Sequence, residues 1–175
     1  MGLINAILSD LLPFKFRNSA MWIVLKLERF VSGKSILVPV DFKFDTGACG
    51  ILLSREAFEY LGYKSLKPIR AITISGVEGV RRGIFRGTRK GIPGKEYRIP
   101  TFQVAGTLYA KNPIVRVPDK LNRCRNLLGQ SILHTRDFLV DNEESVVMFG
   151  HKDASGRTIP PTKITSSNEY EKYLD

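Results

Sequence analysis

The stretch from Phe42 to Leu53 reads FKFDTGACGILL and places one carboxylate, Asp45, between an apolar strand and a turn. An aspartate in apolar surroundings is costly unless it is paired, hydrogen-bonded or partly protonated. Gly47 permits a tight turn, and Thr46 can hydrogen-bond locally or across an interface. The stretch therefore predicts a carboxylate held rigidly at the end of a strand.

The residues before this stretch alternate between the two faces of a sheet. Every second residue from Ile23 to Leu27 and from Val38 to Phe44 is apolar, which is typical of strands with one protected face. A turn centred on Ser32 and Gly33 separates the two runs. The pattern predicts a β-hairpin whose second strand leads directly into Asp45.

The residues after this stretch predict a short helix followed by strands. Ser54 and Gly62 are candidate N-cap and C-cap residues of an amphipathic helix. Residues 68–118 contain many glycine, proline and β-branched residues in short runs, which indicate strands and hairpins.

The C-terminal part predicts a strand that stops at Gly129, a short helix to about His134, and two strands joined by a polar turn at residues 141–144. The apolar pattern stops at His151, which indicates an extended or loose tail. The architecture predicted from these patterns is mainly β with two short helices.

Composition limits the class of protein. A chain of 175 residues with 43% hydrophobic and 25% charged residues suits one soluble globular domain. A formal net charge of +10 favours acidic partners, which could be nucleic acid, an anionic membrane or an acidic peptide. Charge alone does not choose among them.

The two cysteines and the first residues bear on the compartment. Cys49 and Cys124 lack the close spacing of metal sites or disulfide scaffolds, which favours a reducing compartment, and we expect both to be small buried side chains. The first fourteen residues predict neither a signal peptide nor a transmembrane segment. We therefore expect a cytoplasmic protein.

Three regions follow from these patterns. Residues 1–20 form an N-terminal apolar extension, residues 21–150 the folded domain, and residues 151–175 a polar tail. A helical face in the extension, expected to dock on the domain, is formed by Leu3, Ile4, Ile7, Leu8 and Leu11. The extension could also be a propeptide removed by self-cleavage.

The chemistry available to Asp45 depends on a second acid. Hydrolysis of a peptide bond needs an acid and a base at once, and two carboxylates that share one proton provide both. The chain has one Asp-Thr-Gly, and the nearest alternative, DASG at Asp153, has an extra residue and lies in the tail. A twofold homodimer would bring Asp45 against its own copy.

Several motifs, taken in order, resemble the retroviral-type aspartic proteases, the retropepsins. VPVDFKFDTGA resembles the strand that leads into the family's Asp-Thr-Gly-Ala, and ILLSREAFEYLGY resembles the segment after it in cellular and bacterial members. ISGVEGVRRG stands in the place of the flap hairpin, and NLLGQSIL, followed by DFLVD, resembles the hydrophobic-hydrophobic-Gly motif. Asp-Thr-Gly alone is a weak signal, but this combination, from about Met21 to Phe149, is specific.

The resemblance implies a retropepsin-like closed β-barrel that acts as a homodimer, and an aspartic endopeptidase that needs no metal or organic cofactor. Asp45 of each subunit would activate a water, Thr46 would hydrogen-bond across the dimer, and Gly47 would shape the turn and contact substrate. Residues expected to contact the polypeptide substrate are Ala48, Ser75, Gly76, Val77, Glu78 and Gly79. Residues expected to pack beneath the catalytic loop are Leu127, Leu128 and Gly129.

Two non-catalytic interpretations stay open. Asp45 could form only an Asx turn in a catalytically silent retropepsin-like scaffold. The chain could also be a basic β-barrel that binds nucleic acid or protein, because residues 81–98 carry seven basic residues against one acid, Glu96. We favour a solvated hairpin face for this run. Steep salt dependence of binding and indifference to Asp45→Asn would favour the binding module.

Overall fold

The computed structural model describes residues 11–75, 91–121 and 124–159 of the chain. Within these ranges the protein is mostly β with two short helices, which confirms the predicted class. The strands as far as the first helix are β1 (Leu11–Arg17), β2 (Ala20–Val31), β3 (Lys34–Phe44) and β4 (Ile51–Leu52). The helices are α1 (Arg55–Tyr60) and α2 (Gln130–Leu133), and a 3-10 turn spans Tyr63–Ser65.

The remaining strands lie in the second half of the chain. Before α2 they are β5 (Pro68–Ile74), β6 (Ile92–Arg98), β7 (Phe102–Ala105), β8 (Leu108–Ala110), β9 (Ile114–Pro118) and β10 (Leu127–Leu128). After α2 they are β11 (Phe138–Asp141), β12 (Val146–Phe149), β13 (His151–Lys152) and β14 (Thr158–Ile159). The predicted polar turn at residues 141–144 is confirmed by the antiparallel pairing of β11 with β12.

The hairpin of β2 and β3 carries the chain to Asp45. Leu25 pairs with Val40 across the hairpin, and both side chains are buried, as the alternating pattern predicts. At its tip Ser32 and Gly33 have φ values of 49° and 78°. Two consecutive left-handed residues match the twist of the flanking strands, so the predicted turn is confirmed.

The two helices also confirm the sequence pattern. The Ser54 hydroxyl accepts a hydrogen bond from the backbone N–H of Ala57 at 3.1 Å, which is an N-cap interaction. Gly62 follows the C-cap of α1 with a φ of 78°, and a β-carbon there would lie 2.4 Å from the carbonyl oxygen of Phe30. The second helix, α2, has His134 as its C-cap.

The sheet is open, so the prediction of a closed barrel is wrong. Ten strands pair in the order β11-β12-β1-β2-β3-β10-β4-β9-β6-β5, while β7 pairs with β2 and β8 pairs with β7. In the described ranges β11 and β5 each have a neighbour on one side only. At one end the sheet is extended by β1, which pairs with β12.

Strand β1 lies in a region for which the sequence pattern predicts an extension. Its Phe14 pairs with Ile23 of β2 and is buried. Leu11 belongs to this strand, so the predicted helical face is wrong at that residue, while its other four members lie outside the described residues. In the tail, β13 pairs with β14, and residues 160–175 lie outside the described ranges.

The main core includes Phe58 of α1 and the inward-facing residues of the sheet. Phe58 of α1 packs against Tyr97 of β6 with ring centroids 4.5 Å apart, and against Tyr63 at 5.9 Å. The Tyr63 hydroxyl donates a hydrogen bond to the carbonyl oxygen of Glu28 at 2.6 Å. These contacts fix the long β2–β3 hairpin, and with it the strand that ends at Asp45.

Candidate active site

Backbone hydrogen bonds fix the position of Asp45 at the end of β3. The Asp45 N–H donates to the carbonyl oxygen of Leu128 at 3.0 Å, and the Lys43 N–H donates to that of Asn126 at 2.9 Å. Strand β10 is parallel to β3 and antiparallel to β4, with Leu127 opposite both Lys43 and Leu52. The strand that enters the Asp45 turn and the strand that leaves it therefore share one partner.

In the described part of the chain, one of the two oxygens of the Asp45 carboxylate is hydrogen-bonded within the turn. Its Oδ1 accepts a hydrogen bond from the Gly47 N–H at 2.9 Å, and its carbonyl oxygen accepts one from the Ala48 N–H at 3.2 Å. In the part of the chain that the structure describes, Oδ2 has no hydrogen-bonding or ionic partner. Asp45 is half-buried and Thr46 is exposed. One carboxylate oxygen is thus fixed, and the other can reach a water or a second carboxylate.

Gly129 lies against the opposite side of the turn. A β-carbon at Gly129 would lie 2.4 Å from the carbonyl oxygen of Ala48 and 2.5 Å from that of Gly50. Both neighbours are backbone atoms and could not move aside without distorting the turn. Glycine is therefore required here for close backbone approach.

Gln130, the first residue of α2, holds the turn with two hydrogen bonds. Its backbone N–H donates to the carbonyl oxygen of Ala48 at 2.8 Å, and its side-chain Nε2 donates to that of Thr46 at 2.7 Å. The sequence pattern does not single out this residue. Its position directly after Leu-Leu-Gly is the signal that could have identified it.

Asn126 is a second residue that the sequence pattern does not identify. Its Nδ2 donates to the carbonyl oxygen of Asp41 at 2.9 Å, and its Oδ1 accepts from the Ser54 N–H at 2.7 Å. The side chain thereby joins β3 to the N-cap of α1. An asparagine that bridges two backbone segments gives no periodic signal.

The predicted site residues fall into two groups. The structure brings Leu127, Leu128 and Gly129 together with the Asp45 turn through the pairing and packing described above. Ser75 follows β5 and is exposed, and no contact joins it to the turn among the described residues. The other predicted flap residues, Gly76–Gly79, lie outside the described ranges.

An apolar cluster lies beside the turn on the face of the sheet opposite the main core. Ile51 belongs to the main core, and Leu52 points to the other face because side chains alternate along a strand. Around Leu52 the cluster contains Ile74 and Cys124, both buried, and Ile72, Ile92 and Leu127, which are partly buried. The partly buried members leave apolar surface on this face, which suits the side chains of a bound peptide.

The cysteine prediction is half right. Cys124 is buried in the apolar cluster, but Cys49 is exposed in the turn. Cys49 follows Ala48, whose carbonyl oxygen accepts a hydrogen bond from the Gln130 N–H of α2. Among the described residues no group of three His, Cys, Asp or Glu is placed to hold a metal ion, and no described helix is long and apolar enough to cross a membrane.

Of the comparisons with known proteins, the one with solved structures finds similar proteins. No protein-family model and no curated protein sequence matches the chain. The structure is similar to the crystal structure of a retropepsin-like aspartic protease from Rickettsia conorii, with a TM-score of 0.48 and 20% sequence identity. The similarity covers 79% of this chain and 87% of that one. The function proposed below rests on the residues and contacts of this chain.

Proposed function

We propose that the protein is an aspartic endopeptidase whose active site forms from Asp45 of two identical chains. The observation that carries the proposal is a half-buried carboxylate at a strand end, fixed through Oδ1 and the backbone, whose Oδ2 has no partner in the described part of the chain. A carboxylate that served only an Asx turn would not need a second backbone segment packed against its turn. Here Gly129 and Gln130 provide that segment.

The reaction follows from two carboxylates that hold one proton. The ionised carboxylate removes a proton from a water, whose oxygen bonds to the peptide carbonyl carbon, while the protonated carboxylate donates to the carbonyl oxygen. When the tetrahedral intermediate collapses, the C–N bond breaks: the carboxylate that took the water's proton gives it to the leaving amine nitrogen, and a hydroxyl of the intermediate returns its proton to the other carboxylate. The rate should fall when both carboxylates are protonated and when both are ionised, which gives a bell-shaped profile centred at mildly acidic pH.

The dimer is part of the proposal because the sequence has one Asp-Thr-Gly. A twofold axis beside Asp45 would place the two carboxylates together and the two exposed Thr46 side chains at the interface. Gly47 and Ala48 would face the peptide backbone. The apolar cluster around Leu52 would receive substrate side chains.

The first experiment compares wild type with Asp45→Asn on a diverse peptide library across acidic to neutral pH, with new termini read by mass spectrometry. Cleavage by wild type alone, with equal circular dichroism spectra for the two proteins, is the expected result. If wild type forms dimers but produces no cleavage, the protein would be a scaffold that lacks the activity. Equal cleavage by both proteins would assign the activity to another site or to a contaminant.

A mixing experiment tests whether two chains share the site. Because a dimer of one wild-type chain and one Asp45→Asn chain lacks half of the dyad, the variant should inhibit wild type when the subunits exchange. With a ninefold excess of the variant, about one tenth of the wild-type activity should remain if pairing is random. Activity that does not change with the amount of variant added would show that a single chain is sufficient.

A further inference from the structure

A continuous row of paired residues crosses one face of the sheet beside Asp45. Residues that are paired across neighbouring strands point to the same face. The row therefore connects the strand that carries Asp45 to the edge of the sheet at β5. From that strand outward, it consists of Lys43, Leu127, Leu52, Arg116, Glu96 and Arg70.

The outer end of this row is a fork of two arginines on a buried carboxylate. Glu96 is 5% exposed, and its carboxylate accepts two hydrogen bonds from Arg70, at 2.6 and 3.2 Å. Arg116 Nε lies 3.6 Å from Glu96 Oε1. One negative charge thus holds two positive charges, so the fork keeps a net charge of +1.

Both guanidinium groups keep donors that point away from Glu96. The side chains of Arg70 and Arg116 are 67% and 43% exposed. Each guanidinium carries five N–H donors, and Glu96 receives two from Arg70 and is approached by one nitrogen of Arg116. The remaining donors can bind a carboxylate, and bidentate pairing with arginine suits that group best.

The distance from the fork to Lys43, two residues before Asp45 on the same strand, matches a short length of bound peptide. Three strand-to-strand steps separate Arg116 from Lys43, which corresponds to about 14 Å at ~4.8 Å for each step. An extended peptide rises ~3.3 Å for each residue, so this distance spans about four residues. Between the two points the row is apolar, with Leu52 and Leu127.

We propose that Arg116 and Arg70 form a specificity site for an acidic side chain three to five residues from the scissile bond. The inference rests on the proposed peptidase function and names its substrate class: peptides that are apolar at the cleavage point and acidic on the flanks. Glu96 is a positioning residue that aims the two guanidinium groups. In a homodimer the fork occurs twice, so acidic residues are favoured on both sides of the cleaved bond.

A peptide suits this row better than a nucleic acid does. Nucleic-acid sites follow a regularly charged backbone and use cations along the whole track. Here the segment between Lys43 and Arg116 is apolar, and one of the three charges at the fork is a buried acid. Such an alternation of apolar and charged positions matches the side chains of one extended peptide.

The test uses two fluorescein-labelled decapeptides with a Leu-Phe centre, which carry either Glu or Gln at the three outer positions on each side. Binding to full-length Asp45→Asn is measured by fluorescence anisotropy, and kcat/KM is measured with wild type. We expect about tenfold tighter binding of the Glu peptide and a similar ratio in kcat/KM, as for a hydrogen bond to a charged group. The ratio should shrink as salt is added, because the fork is partly solvated.

Arg116→Gln is the informative variant because Glu96 keeps both hydrogen bonds from Arg70, so the sheet retains its buried ion pair. In this variant the Glu-to-Gln ratio should fall to about 2 or less, and Arg116→Lys should restore only part of it. Lys111→Gln is the matched control, since it removes the same charge from an exposed loop residue and should leave the ratio unchanged.

The outcomes separate the inference from the proposed function. Cleavage of both peptides at equal rates would overturn the inference and leave the peptidase standing. Tight, Arg116-dependent binding of the Glu peptide without any cleavage would support the fork as a site for acidic peptides but overturn the peptidase, and with it the placement of the site relative to a scissile bond. Arg116-dependent binding of a single-stranded oligonucleotide, with no discrimination between the two peptides, would overturn it in favour of a nucleic-acid site.

Discussion

Two carboxylates in this protein are held in opposite ways. Asp45 ends a strand, is half-buried and receives one hydrogen bond on its carboxylate, from the Gly47 N–H. Glu96 lies within a strand, is almost fully buried and receives two hydrogen bonds from Arg70, with Arg116 at 3.6 Å. Glu96 therefore has two arginine partners, whereas Asp45 has no cationic partner among the described residues.

The difference in partners indicates that Glu96 stabilises the sheet and that Asp45 is available for chemistry. A carboxylate whose lone pairs are already occupied stabilises the sheet but has little capacity to take a proton from water. Asp45 has the reverse arrangement, since the backbone around it is fixed while Oδ2 has no hydrogen-bonding partner among the described residues. Rigidity at Asp45 comes from the main chain of Leu128 and Gln130, so the carboxylate itself need not be saturated.

The largest effect is expected when Asp45 is replaced with asparagine and both activity and stability are measured. Asn keeps an oxygen that can accept from the Gly47 N–H but cannot act as acid or base, so cleavage should fall by about 10²–10⁴-fold. The free energy of unfolding in urea should change by less than about 0.5 kcal/mol. A large loss of stability would mean that Asp45 is structural, like Glu96.

The second test disturbs the backbone packing of the Asp45 turn at Gly129 and leaves the carboxylate unchanged. Gly129→Ala places a methyl group against the carbonyl oxygens of Ala48 and Gly50, so we expect a loss of about 1–3 kcal/mol in urea unfolding together with a loss of activity. Gly50→Ala is the control, because its nearest contact would be Ser131 Oγ at 4.0 Å. Equal stability of the two variants would contradict the packing argument.

Local patterns predict the parts of the fold that local chemistry determines. The alternation before Asp45 and the Ser54 cap depend on neighbours in sequence, and both appear as predicted. The pairing of β12 with the rest of the sheet depends on β1, whose Phe14 and Phe16 do alternate with Lys15 and Arg17. Because the apolar residues up to Leu11 are predicted to form a helical face, the short alternation of β1 is not recognised as a strand.

The outer part of the site depends on pairing between distant strands. Arg70 lies 26 positions before Glu96, and periodicity alone does not tell which residues of two strands are opposite one another. From the sequence Glu96 is a single acid in a basic run of residues 81–98. The register of β5, β6 and β9 places Glu96 between Arg70 and Arg116, and this register cannot be predicted from the sequence pattern.

The third test concerns Glu96 and uses pH. Hydrogen bonds from Arg70 hold the pKa of Glu96 below its ordinary value, against the opposing effect of burial. The folded state therefore binds this proton less tightly than the unfolded state, whose glutamate pKa is about 4.3. The contribution of Glu96 to stability is complete above that pH and is lost as the pH falls through the folded-state pKa.

Glu96→Gln should accordingly lower the free energy of unfolding by about 1–2 kcal/mol at neutral pH, a value reduced because Arg70 is largely solvated. Its deficit relative to wild type should shrink below pH ~4.3. Glu144→Gln removes the same charge from an exposed turn residue and should behave as wild type. A deficit that stays constant throughout the acid range would show that the ion pair is not its source.

The smallest effect is expected at Gln130, whose side chain supplements the backbone support. Gln130→Ala removes the hydrogen bond to the Thr46 carbonyl oxygen but keeps the backbone N–H bond to Ala48, so unfolding in urea should become easier by about 0.5–1 kcal/mol. Gln103→Ala is a matched control, because Gln103 Nε2 donates to the carbonyl oxygen of Gly106 at 2.6 Å in an equally exposed place. The two stability losses should be similar.

Activity then distinguishes these two glutamines. Gln103 lies away from the turn, so its loss should leave kcat/KM unchanged, whereas the loss of Gln130 frees the Thr46 peptide group at the proposed dimer interface. We expect a lower kcat/KM for Gln130→Ala that recovers at higher protein concentration, since weaker pairing of the chains is a concentration-dependent defect. A defect that does not change with concentration would instead place the role of Gln130 within one chain, in the geometry of the Asp45 turn itself.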